Sequence, residues 1–399
     1  MYPNLYYAFS DLFGIEIPFF KLINSFGFFV AMAFVSAGYF LTKEFTRYTQ
    51  LGSFPITYRD EVIGAPASIQ EIISQSTIGF LFGWKFLYLG FNASSLFTDG
   101  ALPQSFLFSF DGSIQLGVLG AIALGSWSWW GAKRKQLLEP KIKKTAILPH
   151  EHIGSVMTVA AVGGILGAKI FHFIEYPDQF IQFIQNPSLN AILGGLTIYG
   201  GLICGGLSVW LYCKKHNLHF LTLADATAPS LMLGYGVGRI GCQVSGDGDW
   251  GINIPYDQPQ WLSWLPDWTW GYNFPNNVNR VGRAIKSTDP WTIFPDYGTC
   301  LDSAVFPTSL YETTMAVVIF SILWALRTRI KTTGVLFGIY LVFNGFERFW
   351  IEKIRVNTTF EMIGLEMTQA ELISVLLATS GIALIVYLTR QEKVVIHPK

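Results

Sequence analysis

Hydrophobic residues run through this chain in long stretches rather than in the short amphipathic periods of soluble helices. Each stretch is about 18 to 25 residues long, the length that an α-helix needs to cross the hydrocarbon core of a bilayer. Polar and charged segments separate the stretches. The pattern predicts nine membrane-spanning helices, at residues 22–42, 70–91, 114–132, 152–173, 191–213, 221–243, 308–326, 334–352 and 370–389.

Composition agrees with this fold class. The 399 residues are 51% hydrophobic and only 14% charged, whereas soluble domains carry roughly a quarter charged residues. The formal net charge is zero, which argues against a nucleic-acid partner, and no basic stretch precedes the first apolar run, which argues against a cleaved signal peptide. We therefore expect an all-α, polytopic membrane helix bundle that retains its first span.

The distribution of Lys and Arg predicts the orientation of the bundle. Seventeen of the 27 lie in alternate connections and in the C-terminal tail, which places these segments in the cytoplasm under the positive-inside rule. The opposite set of segments holds six. We expect the N-terminus outside and the C-terminus in the cytoplasm. The remaining four cations fall inside predicted spans: Lys85, Lys169, Arg239 and Arg348.

Charges inside the predicted spans are the main clue to chemistry. A charge at membrane depth costs at least about 2.5 kcal/mol, so it normally faces a partner, a cavity or an anionic ligand. Arg348, Glu352 and Arg355 are spaced four and three residues apart, which puts them on one helical face. Two interpretations remain open. Either the charges pair within the bundle, or Arg239 and Arg348 converge on a lipid phosphate, which suits the planar guanidinium fork.

The segment around Arg239 is rich in glycine, which lets neighbouring helices or a headgroup approach the backbone closely. Its letters Gly236 to Gly241 also match the G-x-G-x-x-G pattern of dinucleotide-binding folds. That motif follows a strand and opens a helix, whereas this one closes an apolar span, so we reject a nucleotide site. The cysteines lack metal-ligand spacing, so we expect no metal; Cys242 is either a nucleophile or a small interior residue.

The segments between the spans suggest two further features. The connection 246–307 carries six tryptophans, which favour the headgroup layer, so it is either a cap on the outer interface or an ordinary solvated loop. When the chain is shifted by 84 residues, Gly83-Trp84-Lys85 falls on Gly167-Ala168-Lys169, and Gly117 falls on Gly201. This is either a duplicated helix pair or a chance match.

Several blocks resemble those of bacterial prolipoprotein diacylglyceryl transferases. The stretch Gly238-Arg239-Ile240-Gly241, followed by Gly246-Asp247 and Gly251, is similar to the family signature Gly-Arg-x-Gly-Asn-Phe-x-Asn-Gly-Glu, which closes with Gly. The resemblance covers about residues 152–389 and the first span. Other blocks follow in family order: Tyr199-Gly200-Gly201-Leu202-Ile203, Asp225 with Ala228-Pro229, Pro307 to Glu312, the set Arg348, Glu352 and Arg355, and Ala370 to Ser374.

The resemblance implies three regions: residues 1–59 with the first span and an amphipathic segment, an inserted helix pair at 60–150, and a transferase-like core at 151–399 with the outside cap. The chain also departs from the family pattern, which indicates a divergent branch. The departures are Tyr199 and Phe306 in place of two histidines, Cys242 and Ser245 in place of two asparagines, Asp247 in place of a glutamate, and Lys169 in place of an arginine.

The resemblance also implies a function in the bacterial cytoplasmic (inner) membrane. The diacylglyceryl group of phosphatidylglycerol would be transferred to the thiol of a lipobox cysteine in a prolipoprotein, surrounded by membrane lipids and without a cofactor or metal. The implied catalytic residues are Arg239, Arg348, Tyr199, Glu312 and Glu352. The implied substrate-binding residues are Lys169, Gly200, Gly201, Gly238, Gly241, Asp247, Arg355 and Asp225.

The chemistry assigns roles to some of these residues. Arg239, with Arg348 as its partner and Lys169 as a weaker candidate, would stabilise the departing phosphate. Tyrosine has an ordinary pKa of about 10 and is a poor base, so Tyr199 would donate a hydrogen bond to a phosphate or glycerol oxygen. The proton acceptor for the thiol stays open between three carboxylates: Glu312, Glu352 and Asp247.

Two alternative functions, neither of them enzymatic, remain open. Without the family histidine and asparagines, the chain is alternatively a noncatalytic lipid-binding or lipid-moving paralogue. An ion-coupled transporter built on the repeat is less favoured, because its halves need comparable charged sites and only the lysines recur.

Reporter fusions test the predicted orientation. A fusion at Lys135 should report the cytoplasm and one near Trp264 the outside, because the positive-inside asymmetry puts their segments on opposite sides. Fluorescence of a cytoplasmically folding reporter and activity of an exported phosphatase give the two readouts. If both positions report the same side, the nine-span topology is wrong.

Overall fold

The structure, a computed structural model, describes residues 1–52, 57–96, 111–137, 140–147, 151–185, 197–357, 359–362 and 365–396. This part of the chain is mostly helical. Its helices are α1 (Leu5–Phe13), α2 (Ser25–Gln50), α3 (Ile69–Leu81), α4 (Tyr88–Leu96), α5 (Ile114–Lys135), α6 (His152–Glu175), α7 (Pro177–Gln185), α8 (Ile198–Lys215), α9 (Phe220–Ser245), α10 (Thr308–Leu326), α11 (Val335–Glu352) and α12 (Gln369–Ile396).

Short elements complete the described part of the chain. A π-helical turn at Phe82–Leu87 joins α3 to α4, and 3₁₀ turns lie at Pro18–Leu22, Gln260–Leu262 and Asp267–Thr269. Three antiparallel two-stranded sheets pair neighbouring strands in order. The strands are β1 (Thr57–Ile63) with β2 (Lys141–Ile147), β3 (Arg283–Ala284) with β4 (Thr299–Cys300), and β5 (Thr359–Met362) with β6 (Leu365–Thr368).

The apolar stretches of the sequence lie on helices. The stretch predicted at 308–326 has the bounds of α10, and the one at 70–91 runs through α3, the π turn and α4. The first residues of the stretch at 191–213 lie outside the described residues, and the rest lie on α8. Among the described helices, four are long and apolar enough to cross a membrane: α2, α6, α10 and α12. The count of nine spans and the orientation stay predictions.

The chain divides into two compact units, Met1–Phe54 with Asn217–Lys399, and Pro55–His216. In the first unit, α9 packs against α2, α10 and α11, and α11 packs against α12. The core between α9, α10 and α11 is formed by Met232, Ala316, Ile319, Leu323 and Leu336. Small residues allow the close crossings: a Cβ on Gly236 would lie 2.8 Å from the Ala316 Cβ, and one on Gly241 would lie 3.0 Å from the Phe29 Cβ.

The end of α9 turns the chain into the segment 246–307, for which we use the name cap without deciding between the two interpretations above. Gly246 adopts the left-handed conformation (φ 64°, ψ 55°) that glycine tolerates best, and its N–H donates to the Cys242 carbonyl oxygen at 3.0 Å. Beyond this turn, the Gly251 N–H donates to the Phe306 carbonyl at 2.8 Å. The Ile252 N–H donates to the Ile354 carbonyl, also at 2.8 Å. The cap is therefore tied to the start of α10 and to the residues after α11.

Asp225 fixes the start of α11. Its carboxylate, buried on α9, accepts hydrogen bonds from the backbone N–H groups of Gly334 at 2.6 Å and Phe337 at 2.7 Å. The first N–H groups of a helix have no partner within the helix, so an outside acceptor satisfies them. This contact sets the position of α11, which carries Arg348 and Glu352 at its other end.

The second unit contains two helix pairs, α3 with α5 and α6 with α8. Both cross through glycines that leave no room for a side chain. A Cβ on Gly83, in the π turn that follows α3, would overlap the carbonyl oxygen of Leu116 on α5. A Cβ on Gly167 of α6 would overlap the carbonyl oxygen of Gly200 and the Cys204 side chain on α8.

The crossing of α6 and α8 gives a stability prediction with an internal control. Gly167→Ala should destabilise the protein by about 1 to 3 kcal/mol, because the added methyl group overpacks the crossing. Gly154→Ala, on the same helix where no atom lies within 4 Å of a built Cβ, should be neutral or stabilising by up to about 1 kcal/mol. Unfolding by SDS titration in mixed micelles measures both. Equal destabilisation by the two changes would contradict the crossing geometry.

Candidate active site

A cluster of six charged side chains forms in the first unit, where α9, α10 and α11 meet the cap. Three are arginines and three are carboxylates. They come from the end of α9, the first turns of α10, the end of α11 and the segments that follow α9 and α11. The members are Arg239, Asp249, Glu312, Arg348, Glu352 and Arg355.

Glu312 is the shared acceptor of this cluster. Its side chain is fully buried. One carboxylate oxygen, Oε2, lies 3.0 Å from Arg239 Nε. The other, Oε1, lies 3.3 Å from Arg348 Nη1 and 3.4 Å from Arg355 Nη1. A single buried carboxylate therefore holds three guanidinium groups in fixed positions.

Asp249 is the second carboxylate that joins two arginines. It pairs with Arg239, and its Oδ1 accepts a hydrogen bond from Arg355 Nη2 at 2.5 Å. The hydroxyl groups of Thr308 and Ser309 donate to its backbone carbonyl at 2.7 and 2.9 Å, which fixes it against the first turn of α10. Burial by itself raises the pKa of Asp249, but the two guanidinium groups outweigh burial and hold the pKa below its ordinary value. Asp249 is therefore an anion.

Glu352 completes the charge balance. Its Oε2 lies 3.0 Å from Arg348 Nη2, one turn earlier on α11. The Asn357 side-chain amide donates to its Oε1 at 2.5 Å. With Asp249 and Glu312, it gives three carboxylates against three arginines. Of the arginines, Arg348 is the most exposed, at 26% of its side chain. An anion that reaches this face meets guanidinium groups whose partners it can replace.

Asp247 and Cys242 lie beside the cluster. Burial raises the pKa of Asp247 above its ordinary value. The Cys242 sulfur lies 3.7 Å from Arg239 Nη1. Cys242, Asp247 and Asp249 offer ligand atoms within 4.8 Å of one another. However, Arg239 and Arg355 already occupy the Asp249 carboxylate, and their positive charges oppose a metal cation at this position.

The two glycines of the Gly-Arg-Ile-Gly stretch have different surroundings. A Cβ on Gly238 would meet no atom within 4 Å, so this position leaves space beside Arg239. Gly241 instead receives the Phe26 and Phe29 residues of α2. Their roles as substrate contacts stay predictions.

Four of the predicted site residues belong to the second unit. Lys169 on α6 places its Nζ 4.4 Å from the ring centroid of Phe173. Tyr199, Gly200 and Gly201 lie in the first turn of α8, where the two glycines pack against α6. Their roles, like those of Asp225 and Arg355 in substrate binding, stay predictions.

Three contributors to this region were missed by the sequence reasoning. Asp249 was overlooked because Asp247 occupies the position of the family's acidic residue. Tyr235 stands four residues before Arg239, a spacing that puts both side chains on one face of a helix. This spacing is the sequence signal from which Tyr235 could have been identified as a neighbour of Arg239. Its ring centroid lies 5.3 Å from the Arg239 guanidinium carbon. Glu347, next to Arg348, receives a hydrogen bond from the Tyr235 hydroxyl at 3.2 Å.

Comparison with known proteins gives a consistent set of relatives. Residues 107–387 match a family model described as prolipoprotein diacylglyceryl transferase. Several similar curated proteins are named phosphatidylglycerol–prolipoprotein diacylglyceryl transferase. One from Bifidobacterium adolescentis is 29% identical over 225 residues, which cover 54% of this chain and 60% of that protein. One from Dehalococcoides mccartyi is 26% identical over 277 residues, covering 69% and 88%, and one from Chromohalobacter salexigens is 27% identical over 272 residues, covering 67% and 85%.

Replacing the shared carboxylate should destabilise the fold. Glu312→Gln leaves three neighbouring guanidinium groups without their common anion, and breaking a buried ion pair in this way costs about 3 to 5 kcal/mol. The same substitution at the exposed Glu16 should change stability by less than about 0.5 kcal/mol. SDS titration of both variants measures the difference. A Glu312→Gln variant as stable as the Glu16→Gln control would contradict the central role of this carboxylate.

Proposed function

We propose that this chain, which belongs to the prolipoprotein diacylglyceryl transferase family, transfers the diacylglyceryl group of phosphatidylglycerol to the lipobox cysteine thiol of prolipoproteins. It is then a transferase of lipoprotein biosynthesis. The observation that carries this proposal is the set of three guanidinium groups held by one buried carboxylate in an apolar helix bundle. The names of the relatives do not favour the noncatalytic alternative.

The reaction makes two demands on the site. A carbon–sulfur bond forms while the bond between the glycerol carbon and the phosphate oxygen breaks, and glycerol phosphate leaves with the electron pair of that bond. The departing phosphate needs preorganised positive charge, and the thiol has to lose a proton near the lipid carbon. Arg239 and Arg348 meet the first demand, because their forks are already fixed by Glu312 and can bind two phosphate oxygens.

The remaining residues have supporting roles. Arg355 holds Asp249 and Glu312 in place. Asp225 keeps α11, and with it Arg348, in register through its contacts with Gly334 and Phe337. For the second unit taken by itself, the resemblance assigns Lys169 and Tyr199 to phosphate or glycerol oxygens, and Gly200 and Gly201 to positions that let a lipid approach the helix.

Asp247 is the proton acceptor that we favour among the three carboxylates left open by the sequence. Glu312 and Glu352 are each held in ion pairs with arginines, so their oxygens are already engaged. Asp247 is in none of the ion pairs found among the described residues, and burial raises its pKa toward the range in which a base works at neutral pH. Neighbouring carboxylates with opposite pKa shifts are typical of acid–base sites.

The membrane arrangement follows the sequence topology. The chain spans the bacterial cytoplasmic membrane nine times, with its N-terminus outside and its C-terminus in the cytoplasm. The cap 246–307 then lies outside, at the level of the headgroups. Two of its tryptophans, Trp261 and Trp264, are 74% and 77% exposed, and exposed tryptophans are favoured at the membrane interface.

Residues 60–150 are best explained as an inserted copy of the helix pair at 151–216. Positions 84 residues apart make equivalent contacts in α3–α5 and α6–α8. In each pair a glycine crosses a backbone carbonyl. The residue before the second helix also donates its N–H to a carbonyl, in the π turn after α3 at 3.2 Å and in α6 at 3.1 Å. The corresponding positions are Gly83 and Gly167, Leu116 and Gly200, Trp84 and Ala168, and Ser113 and Thr197.

A transfer assay tests the function and the role of Arg239. The purified protein is incubated with phosphatidylglycerol and a lipobox peptide, and mass spectrometry measures the gain of one diacylglyceryl unit. Arg239→Ala should lower turnover by at least about 100- to 1000-fold, the cost of removing a preorganised donor to a developing anion. Arg239→Lys should also lose much of the turnover, because an ammonium lacks the bidentate fork. Tyr199→Phe, which loses one hydroxyl, should be milder.

The matched control is Arg280→Lys, on an exposed arginine of the cap, which should leave turnover unchanged. Variants are compared only when they extract as folded, monodisperse protein. Near-normal turnover of folded Arg239→Ala would refute the phosphate role and favour a purely structural ion pair. Binding of the lipid without any transfer by the wild type would favour the noncatalytic paralogue.

A further inference from the structure

Glu347 is a buried carboxyl group that the mechanism above does not use. It lies on α11 beside Arg348 and is 1% exposed. Its Oε1 accepts the hydrogen bond from Tyr235, but its Oε2 is buried without a hydrogen-bond partner. Buried oxygens of Glu312 and Glu352 also lack a hydrogen bond, yet each lies 3.0 Å from an arginine nitrogen. Among the described residues, Glu347 Oε2 has neither kind of partner.

Charge balance indicates the protonation state of Glu347. The three arginines of the cluster are already matched by Asp249, Glu312 and Glu352. A fourth ionised carboxylate would leave an uncompensated negative charge in an apolar bundle, which is costly. Glu347 is therefore the protonated member, since an oxygen without a partner costs less on a neutral acid than on a carboxylate.

Titratable and charged groups from three helices, α9, α10 and α11 itself, face Glu347. The titratable and charged groups that face it are Tyr235 and Arg239 from α9, Glu312 from α10, and Tyr340 and Arg348 on its own helix. Helix α12, which also packs on α11, contributes a close backbone crossing, with Gly345 against the Ser374 carbonyl. The Tyr235 hydroxyl is thus the direct neighbour that joins Glu347 to the cluster.

Tyr235 also lies next to the proposed phosphate position. The Arg239 guanidinium carbon is 5.3 Å from its ring centroid, so a phosphate held by Arg239 sits near Tyr235. A phenol hydroxyl both donates and accepts a hydrogen bond, so it can pass a proton between two oxygens. Glu347, Tyr235 and Arg239 thus contact one another in that order, and a phosphate bound by Arg239 would extend this series.

We propose that Glu347 supplies, through Tyr235, the proton that the departing phosphate takes up; this inference rests on the transferase function proposed above. When the carbon–oxygen bond breaks, its electron pair goes to the phosphate oxygen. In this step the Tyr235 hydroxyl turns to that oxygen and gives it its proton, and it takes the Glu347 proton from Oε1, the oxygen that it contacts at 3.2 Å. After product release Asp247 loses the thiol proton to water and Glu347 takes one back from water, so that overall the thiol proton is transferred to the phosphate. The step needs no further reactant.

Glu347→Gln tests this role, because glutamine has the shape of the protonated acid but cannot give up a proton in the same way. In the transfer assay, kcat should fall about 100-fold, within the range of general acid catalysis. The KM for phosphatidylglycerol should stay within about threefold. The wild type should lose kcat at alkaline pH as Glu347 ionises, and this loss should be absent in the variant. A merely structural role would not remove one limb of the pH profile.

Tyr235→Phe provides an independent second test, since it breaks the path and leaves Glu347 in place. It should remove the same alkaline limb, and the double variant should be no slower than the slower single variant. The matched control is Glu44→Gln, at a carboxylate that is also 1% exposed and pairs with Arg47 and Arg327 at 2.7 Å. The control should keep the wild-type pH profile.

The outcomes separate this inference from the proposed function. If the wild type transfers and folded Glu347→Gln keeps its kcat within about threefold, the inference is wrong and the function stands. The same holds if the variant retains the alkaline limb. If the wild type transfers nothing to the peptide, the proposed function fails and this inference fails with it.

Discussion

The first unit depends on keeping charge neutral inside an apolar bundle. Glu312 is fully buried and has three arginines around it, from α9, from α11 and from the segment after α11. Removal of any one of these charges leaves the others uncompensated in a buried position. The free-energy cost of that removal is larger than the net stabilisation that the intact ion pairs provide. Asp249 extends the same constraint to the cap, because it pairs with Arg239 and Arg355 while its carbonyl is fixed to the start of α10. The positions of three helices and one loop are therefore set together.

This constraint also prepares the chemistry that we propose. Guanidinium groups that are already oriented by carboxylates need little reorganisation when a phosphate takes over some of their hydrogen bonds, and preorganised donors are the main source of anion stabilisation in enzymes. Arg348 is suited to make the first contact, since it is the most exposed of the three. Gly238 leaves space beside Arg239, where no atom lies within 4 Å of a built Cβ. Stability and binding thus use the same groups.

The sequence predicted the helices well because apolar length is a local property, and α10 has the bounds read from its letters. It also brought Arg348 and Glu352 onto one face, since their spacing is that of a helical turn. Helical spacing could not predict whether Asp247 or Asp249 contacts the arginines, because both lie in a turn. The left-handed conformation of Gly246 and the positive φ of Gly248 determine which carboxylate meets the arginines. Glu347 was not identified from the sequence, because Tyr235, the partner that connects it to the cluster, is 112 residues away.

Tyr199 stands where the resemblance places a histidine, so the proposed mechanism needs other groups to move protons. Histidine titrates near neutral pH, whereas tyrosine and ordinary carboxylates do not. The structure offers carboxyl groups in contrasting environments instead. Asp249 is held as an anion by two arginines, and burial raises the pKa of Asp247 two residues away. Glu347 is enclosed without a cation of its own. Under the proposed mechanism, acid and base functions that one imidazole can combine are divided between separate carboxyl groups, each adjusted by its surroundings.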